Sequence, residues 1–221
     1  MNHSPKTMYT RLLLLLLLCL PGAAGAQNSI SSYQPLFQTD PYLKQWDASI
    51  PGFKLTVFKY SRTVDFENML VDDSLGPHDK FFQQTFGKLI SYSPNKKMYL
   101  DFYSGQFVFD TLLSNGKKNI TVSADIDQYL FLGNYAARKV SRILFMGTSS
   151  ILEEAIWTSD NEFILTGTNR NDQDFSPFLY IGDVKKRQLR YYLPDNKHVK
   201  RDTLYRSPRW RNIRGLDVKD L

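Results

Sequence analysis

The stretch that decides the fold is Leu89-Ile90-Ser91-Tyr92-Ser93-Pro94-Asn95-Lys96-Lys97-Met98-Tyr99-Leu100. It reads as an apolar strand ending in an aromatic residue, a polar turn, and a second apolar strand. A second copy follows later: Glu154-Ala155-Ile156-Trp157-Thr158-Ser159-Asp160, then Phe163-Ile164-Leu165. Each copy has a sequel of the same kind. Tyr129-Leu130-Phe131-Leu132-Gly133-Asn134 precedes Val140 to Leu144, and Phe178-Leu179-Tyr180-Ile181-Gly182-Asp183 precedes Leu189 to Tyr192. The chain therefore carries a repeated unit of four antiparallel strands.

Further strands are expected at Lys54 to Tyr60, Gln106 to Leu112 and Ile120 to Ala124. Asn115-Gly116 between the last two is a strong hairpin signal, because both residues tolerate positive φ. Glu153 and Glu154 are read as preceding a strand that starts at Ala155. The N-terminal part differs. Gln27 to Gln34 is polar and is read as a flexible lead-in. Asp40-Pro41 followed by Tyr42, Leu43 and Trp46 predicts a short helix. Pro77 to Phe86 predicts another, with Phe81, Phe82 and Phe86 on one face. The expected fold is mainly β: antiparallel blade-like sheets, arranged as an open sheet, a sandwich or a propeller fragment, with a short helical N-terminal part.

The units resemble blades of β-propellers of the TolB or WD40-like kind, in which an aromatic-Ser-Pro-Asp-Gly turn joins the first two strands. The corresponding residues are Tyr92-Ser93-Pro94-Asn95-Lys96 and Trp157-Thr158-Ser159-Asp160-Asn161, and both lack the usual glycine. The likeness covers Lys88 to Leu193. Two units are fewer than the roughly four blades a closed propeller needs. The whole chain also resembles uncharacterised secreted proteins of Bacteroidota-type bacteria, a likeness that implies no function.

Residues 1–26 have the form of a signal peptide: Lys6 and Arg11, the apolar run Leu12 to Leu20, a Pro21-Gly22 break and Ala24-Gly25-Ala26. That run is about half the roughly 20 residues that span a bilayer. Residues 27–196 are read as a single mainly-β domain and 197–221 as a basic C-terminal segment. The protein is expected to be exported, periplasmic or extracellular, with no transmembrane span. Cys19 is the only cysteine among 221 residues, and Leu18 before it is too large for a lipoprotein site. Loss of the leader leaves no thiol, which excludes disulfides, cysteine-ligated metals and cysteine nucleophiles.

Common chemistries are poorly represented. The three histidines, His3, His78 and His198, form no ligand pair, and no metal or cofactor is expected. Gly147-Thr148-Ser149-Ser150-Ile151 lacks the second glycine of a nucleophile elbow, and no catalytic residue is assigned. The oxygen-rich loop Asn169 to Asp174 lacks the EF-hand glycine and glutamate. Asn119-Ile120-Thr121 is a glycosylation sequon, with meaning only in a eukaryotic secretory pathway.

Charge is uneven. Against 28 Lys+Arg and 22 Asp+Glu, the segment from Lys197 to Leu221 holds eight basic and three acidic residues, with Tyr205 and Trp210 interleaved. Arg206, Arg209, Trp210, Arg211 and Arg214 are the candidate contact residues for an anionic partner. The opposing reading packs the segment back on the sheet, with Trp210, Ile213 and Leu216 docking at three-residue spacing. The leading expectation is a non-enzymatic exported protein presenting a binding or structural surface to an envelope protein or an anionic envelope polymer, not to nucleic acid. The alternative is a secreted hydrolase acting on a glycan or peptide through a carboxylate pair drawn from Glu153, Glu154, Asp125 and Asp127. A third is a structural subunit whose sheet is completed by a partner, for which an uncovered apolar edge would speak.

Overall fold

A computed structural model describes residues 29–71, 76–114, 117–170, 175–195, 199–201, 205–213 and 216. The leader, Asn115-Gly116, His198 and Arg214 lie outside the described residues.

The N-terminal part is more ordered than a polar lead-in suggests. Ile30–Tyr33 forms a 3-10 turn capped by Ser29, and α1 (Gln34–Thr39) follows directly. Ile30, Tyr33 and Phe37 recur at spacings of three and four and are all buried. That apolar stripe, sparse in a polar context, is what fixes the segment. In α2 (Pro41–Ala48) Asp40 caps the start: its Oδ1 accepts from the amides of Tyr42 at 2.9 Å and Leu43 at 3.0 Å. Leu43 and Trp46 point inward and are fully buried.

The expected strand at Lys54 to Tyr60 starts later. Leu55–Val57 makes a 3-10 turn and β1 runs Phe58–Asp65. The partner strand β12 (Gln188–Pro194) ends opposite Phe58, so residues upstream have no ladder to join. A short β2 (Met69–Val71) leads toward α3 (Lys80–Thr85). Asp79 caps α3. Phe82 and Phe86, four apart, are buried, whereas Phe81 is 63% exposed; one residue is about 100° of helical rotation, so the three cannot share a face.

The repeat in the sequence becomes a repeat in space. β3 (Ser91–Tyr92), β4 (Met98–Asp101), β7 (Gln128–Asn134) and β8 (Lys139–Met146) form one antiparallel four-stranded unit. β9 (Ser150–Trp157), β10 (Glu162–Arg170), β11 (Phe175–Asp183) and β12 form the other. Each recruits one N-terminal strand onto its last strand. The sheets run β2-β8-β7-β4-β3 and β1-β12-β11-β10-β9, and both are open. The hairpin β5 (Phe107–Ser114) and β6 (Lys117–Ala124) is inserted into the first unit as a separate two-stranded sheet, joined to the C-terminal segment by an isolated parallel bridge between Ile120 and Leu216.

The units share local chemistry. Asn134 and Asp183 each accept from the amide three residues on, at 3.0 and 2.9 Å. Arg138 and Arg187 then take positive φ at the matching turn positions. Gly133 lies under the Tyr99 ring and Gly182 under the Phe163 ring, so closely that a β-carbon would overlap both.

The layers are helices, sheet, sheet. Phe163, Leu165, Phe178, Tyr180 and Trp157 face a core shared with Leu100, Leu130, Ile143 and Leu144 of the other sheet. Ile156, Ile164, Leu179 and Ile181, alternating with them, face α1 and α2 through Phe37, Leu43 and Trp46. The β9–β12 sheet is thus buried on both faces, which is why its strands read as continuous apolar runs.

Candidate functional site

Glu153 and Glu154 lie inside β9, not before it, embedded between Leu152 and Ala155. The β9 strand starts at Ser150 because Ile151 and Leu152 pair with Thr168 and Gly167. Alternation would send the two carboxylates to opposite faces. A bulge prevents this: Glu154 pairs with Thr166 and Leu152 with Gly167, leaving Glu153 as the extra residue. Leu152 and Ala155 both enter the inter-sheet core, and both carboxylates turn toward the helical layer.

Each carboxylate meets an arginine from the basic segment. Glu153 accepts from Trp46 Nε1 at 2.7 Å, from Thr168 Oγ1 at 3.1 Å, and from the Arg201 guanidinium. Arg201 also donates to Ser49 Oγ at 2.8 Å, and its backbone bridges Phe175. Glu154 accepts from Arg209 Nε at 3.0 Å and from the Tyr205 hydroxyl at 3.0 Å. Arg209 further donates to the Ala155 carbonyl at 3.1 Å and lies over the Tyr42 ring, 3.9 Å from its centroid. All four charged side chains are at most 6% exposed. Burial pushes both glutamates up, against the pull of Arg201 and Arg209. Burial lowers Arg201. It acts on Arg209 too, but Glu154 beside that guanidinium holds it above its ordinary value.

The basic segment is thereby divided. Arg209 and Trp210 are 5% and 6% exposed and belong to the interior. Trp210, in the 3-10 turn Pro208–Asn212, meets Tyr103 edge-on at 5.1 Å and Phe107 at 4.8 Å. Arg206 and Arg211 are on the surface. Ile213 and Leu216 pack against the core, as the docking alternative expects. The five residues are thus not gathered on one solvent-facing patch.

Beside the ion pairs, the inserted hairpin roofs a cavity of about 450 Å³. Phe107 pairs with Ala124 across the hairpin, and both line the cavity. Its buried lining comprises Phe102, Tyr103, Gln106, Gln128, Leu152, Glu153, Ser207 and Trp210. Its exposed lining comprises Ala124, Asp125, Ile126, Thr148, Arg170 and Arg206. Gln128 ties the wall together: its amide donates to Gln106 Oε1 at 3.0 Å and to the Leu152 carbonyl at 3.2 Å, and accepts from the Leu152 amide at 2.6 Å. The Tyr103 hydroxyl is different. It is buried beside the Ser207 side chain, with no well-aligned hydrogen bond among the described residues. Burial, followed by the nearby Glu154 charge, raises its pKa, while the Arg209 charge and then Ser207 temper the rise.

Of the four carboxylates expected to supply a catalytic pair, Glu153 and Asp125 border the cavity and Glu154 and Asp127 do not. Asp125 is exposed and accepts from the Ile126 amide. Among the described residues no three His, Cys, Asp or Glu side chains converge as a metal site, and no helix is long and apolar enough to cross a membrane. His78 flanks α3 and stacks on Tyr135 at 4.1 Å. Sequence reading did not single out Tyr103, Gln106, Gln128, Arg170 or Arg201 for a site. A signal existed only for Arg201: two acids inside the apolar run Ile151 to Trp157 require buried cations from elsewhere. No family model, curated protein or solved structure matches the chain.

Proposed function

We propose that the protein is a non-catalytic binding protein that takes a small guest into the cavity beneath the β5–β6 hairpin. It would act in the periplasm or outside the cell, after export on the leader at 1–26. The observation that carries this reading is the cavity itself. It has the size and aromatic lining of a ligand site. The use of Glu153 and Glu154 in structural ion pairs supports binding over hydrolysis, because a general acid or base must be able to exchange its proton with substrate.

The test is titration with Nile red, a neutral dye that brightens in apolar surroundings. Saturable binding to the full mature chain is expected. Ala124→Trp fills the cavity from the roof and should abolish it without lowering Tm by more than about 3 °C, as befits an exposed position. Binding that survives Ala124→Trp would overturn the reading.

A second reading, a partner strand completing a sheet, is favoured by one observation. The edge strand β2 exposes Met69, Leu70 and Val71, with Leu70 at 76%, an apolar edge of the kind monomeric proteins avoid. Concentration-dependent association that Leu70→Lys removes would support it.

A further inference from the structure

We infer that the guest of this cavity is an unbranched alkyl chain, held by its apolar length and not by its head group. The inference rests on the cavity-binding reading and adds the guest's chemistry to it. The polar side chains of the buried lining are turned on one another. Gln128 donates to Gln106 at 3.0 Å and takes up both the amide and the carbonyl of Leu152. Gln106 Nε2 reaches the Asp125 carbonyl at 3.4 Å. Glu153 is occupied by Trp46, Thr168 and Arg201. Ser207 Oγ accepts from the Arg209 amide at 3.2 Å and faces the Glu154 carboxylate. The Tyr103 hydroxyl has no surface for a guest to touch. Every carboxylate, carboxamide and hydroxyl of the buried lining is therefore either engaged within the protein or closed to contact. A polar group carried inward by a guest would lose its water and gain no such partner, which is costly.

What the interior offers is ring and hydrocarbon surface from Phe102, Phe107, Val122, Leu152 and Trp210. Such walls reward buried apolar area and impose no direction on the guest. The exposed lining forms the mouth, where Thr148 stands with Arg170 and Asp125, a pair of opposite charge. Contacts between charges in water are weak, so a head group left at this mouth adds little, whatever its sign. The cavity, about 450 Å³, takes on the order of a dozen chain carbons, if each fills roughly the 30 Å³ of a water molecule. A single-headed chain leaves its one polar group at the mouth, and its free rotations let it follow a lining of mixed rings and branched side chains.

The probes are hexanol, octanol and decanol, with decanoate and 1,10-decanediol. Each displaces Nile red from the full mature chain near neutral pH, below the concentration at which it self-associates. Each added methylene is expected to tighten binding about fourfold. Decanoate should match decanol within about fivefold, the scale of an exposed charge contact. Decanediol, which differs from decanol only by a hydroxyl at the far end, should bind at least about tenfold more weakly. By calorimetry, decanol should no longer bind Ala124→Trp, and should bind Val122→Asn, which adds a polar group to the roof, several-fold more weakly. Equal affinity of decanol and decanediol, no gain from hexanol to decanol, or decanol affinity unchanged in both variants, with Nile red still bound to the wild-type protein, overturns the inference and leaves the cavity reading standing. Absence of Nile red binding removes the cavity reading itself.

Discussion

Replacing Glu153 by Gln isolates what the buried charge does, since shape and volume barely change. In the native protein the carboxylate is 3% exposed and its partner Arg201 1%. It accepts three donors: Trp46 Nε1, Thr168 Oγ1 and the guanidinium. The Gln carbonyl can still accept from Trp46. Its amide, however, brings two donors against the guanidinium donors, and Arg201 keeps its charge with the Ser49 and Thr168 hydroxyls and the Tyr205 ring as its neutral partners. Removing one partner of a buried pair typically costs about 3–5 kcal/mol, a large part of the roughly 5–15 kcal/mol that holds a domain folded. Urea unfolding, followed by tryptophan fluorescence, measures the loss as a fall in midpoint at constant slope. The double variant Glu153→Gln with Arg201→Met removes the stranded cation as well. It should be more stable than the sum of the single losses predicts, by about 2 kcal/mol or more. A loss below about 1 kcal/mol for Glu153→Gln, with additivity in the cycle, would refute the claim that this pair locks the basic segment to β9.

Trp210→Ala removes the wedge under the hairpin and should cost about 3–5 kcal/mol in urea unfolding, with earlier proteolytic cleavage within β5–β6 as the local sign. Gly182→Ala drives a methyl into the Phe163 ring, 2.1 Å from its nearest atom; a loss of about 1–3 kcal/mol is expected, and an unchanged Tm would contradict the close approach. Alkaline pH should unfold the protein cooperatively. Burial raises Tyr33, Tyr103 and Tyr205 well above the ordinary value of 10.0, and pushes Tyr180 up to about 12. A folded pKa above the unfolded one means stability is whole below pH 10 and declines as pH climbs through the folded values. Phenolate absorbance should therefore lag behind that of the free amino acid above pH 10 and then rise together with loss of near-ultraviolet dichroism.

Local signals carried much of this fold. The paired runs around Ser93-Pro94-Asn95 and Ser159-Asp160 fixed two four-stranded units, because strand and turn preferences act over a few residues. The same holds for the Asp40-Pro41 helix start, and for the hairpin about Asn115-Gly116, whose flanking Ser114 and Lys117 pair. The apolar runs of β10 and β11 marked strands buried on both faces. What pairs at long range was not legible. Nothing local sends β1 to β12 or β2 to β8, since those partners are chosen by which sheet edge remains open once the units have formed. The bulge at Glu153 is a register event between two strands, invisible in either alone. Its consequence reaches Trp46, 107 residues away, and Arg201, 48 residues away. An arginine on a basic tail and one in a buried ion pair have the same sequence. Only the burial of two glutamates between the sheet and the helical layer decided that Arg201 and Arg209 turn inward while Arg206 and Arg211 stay at the surface.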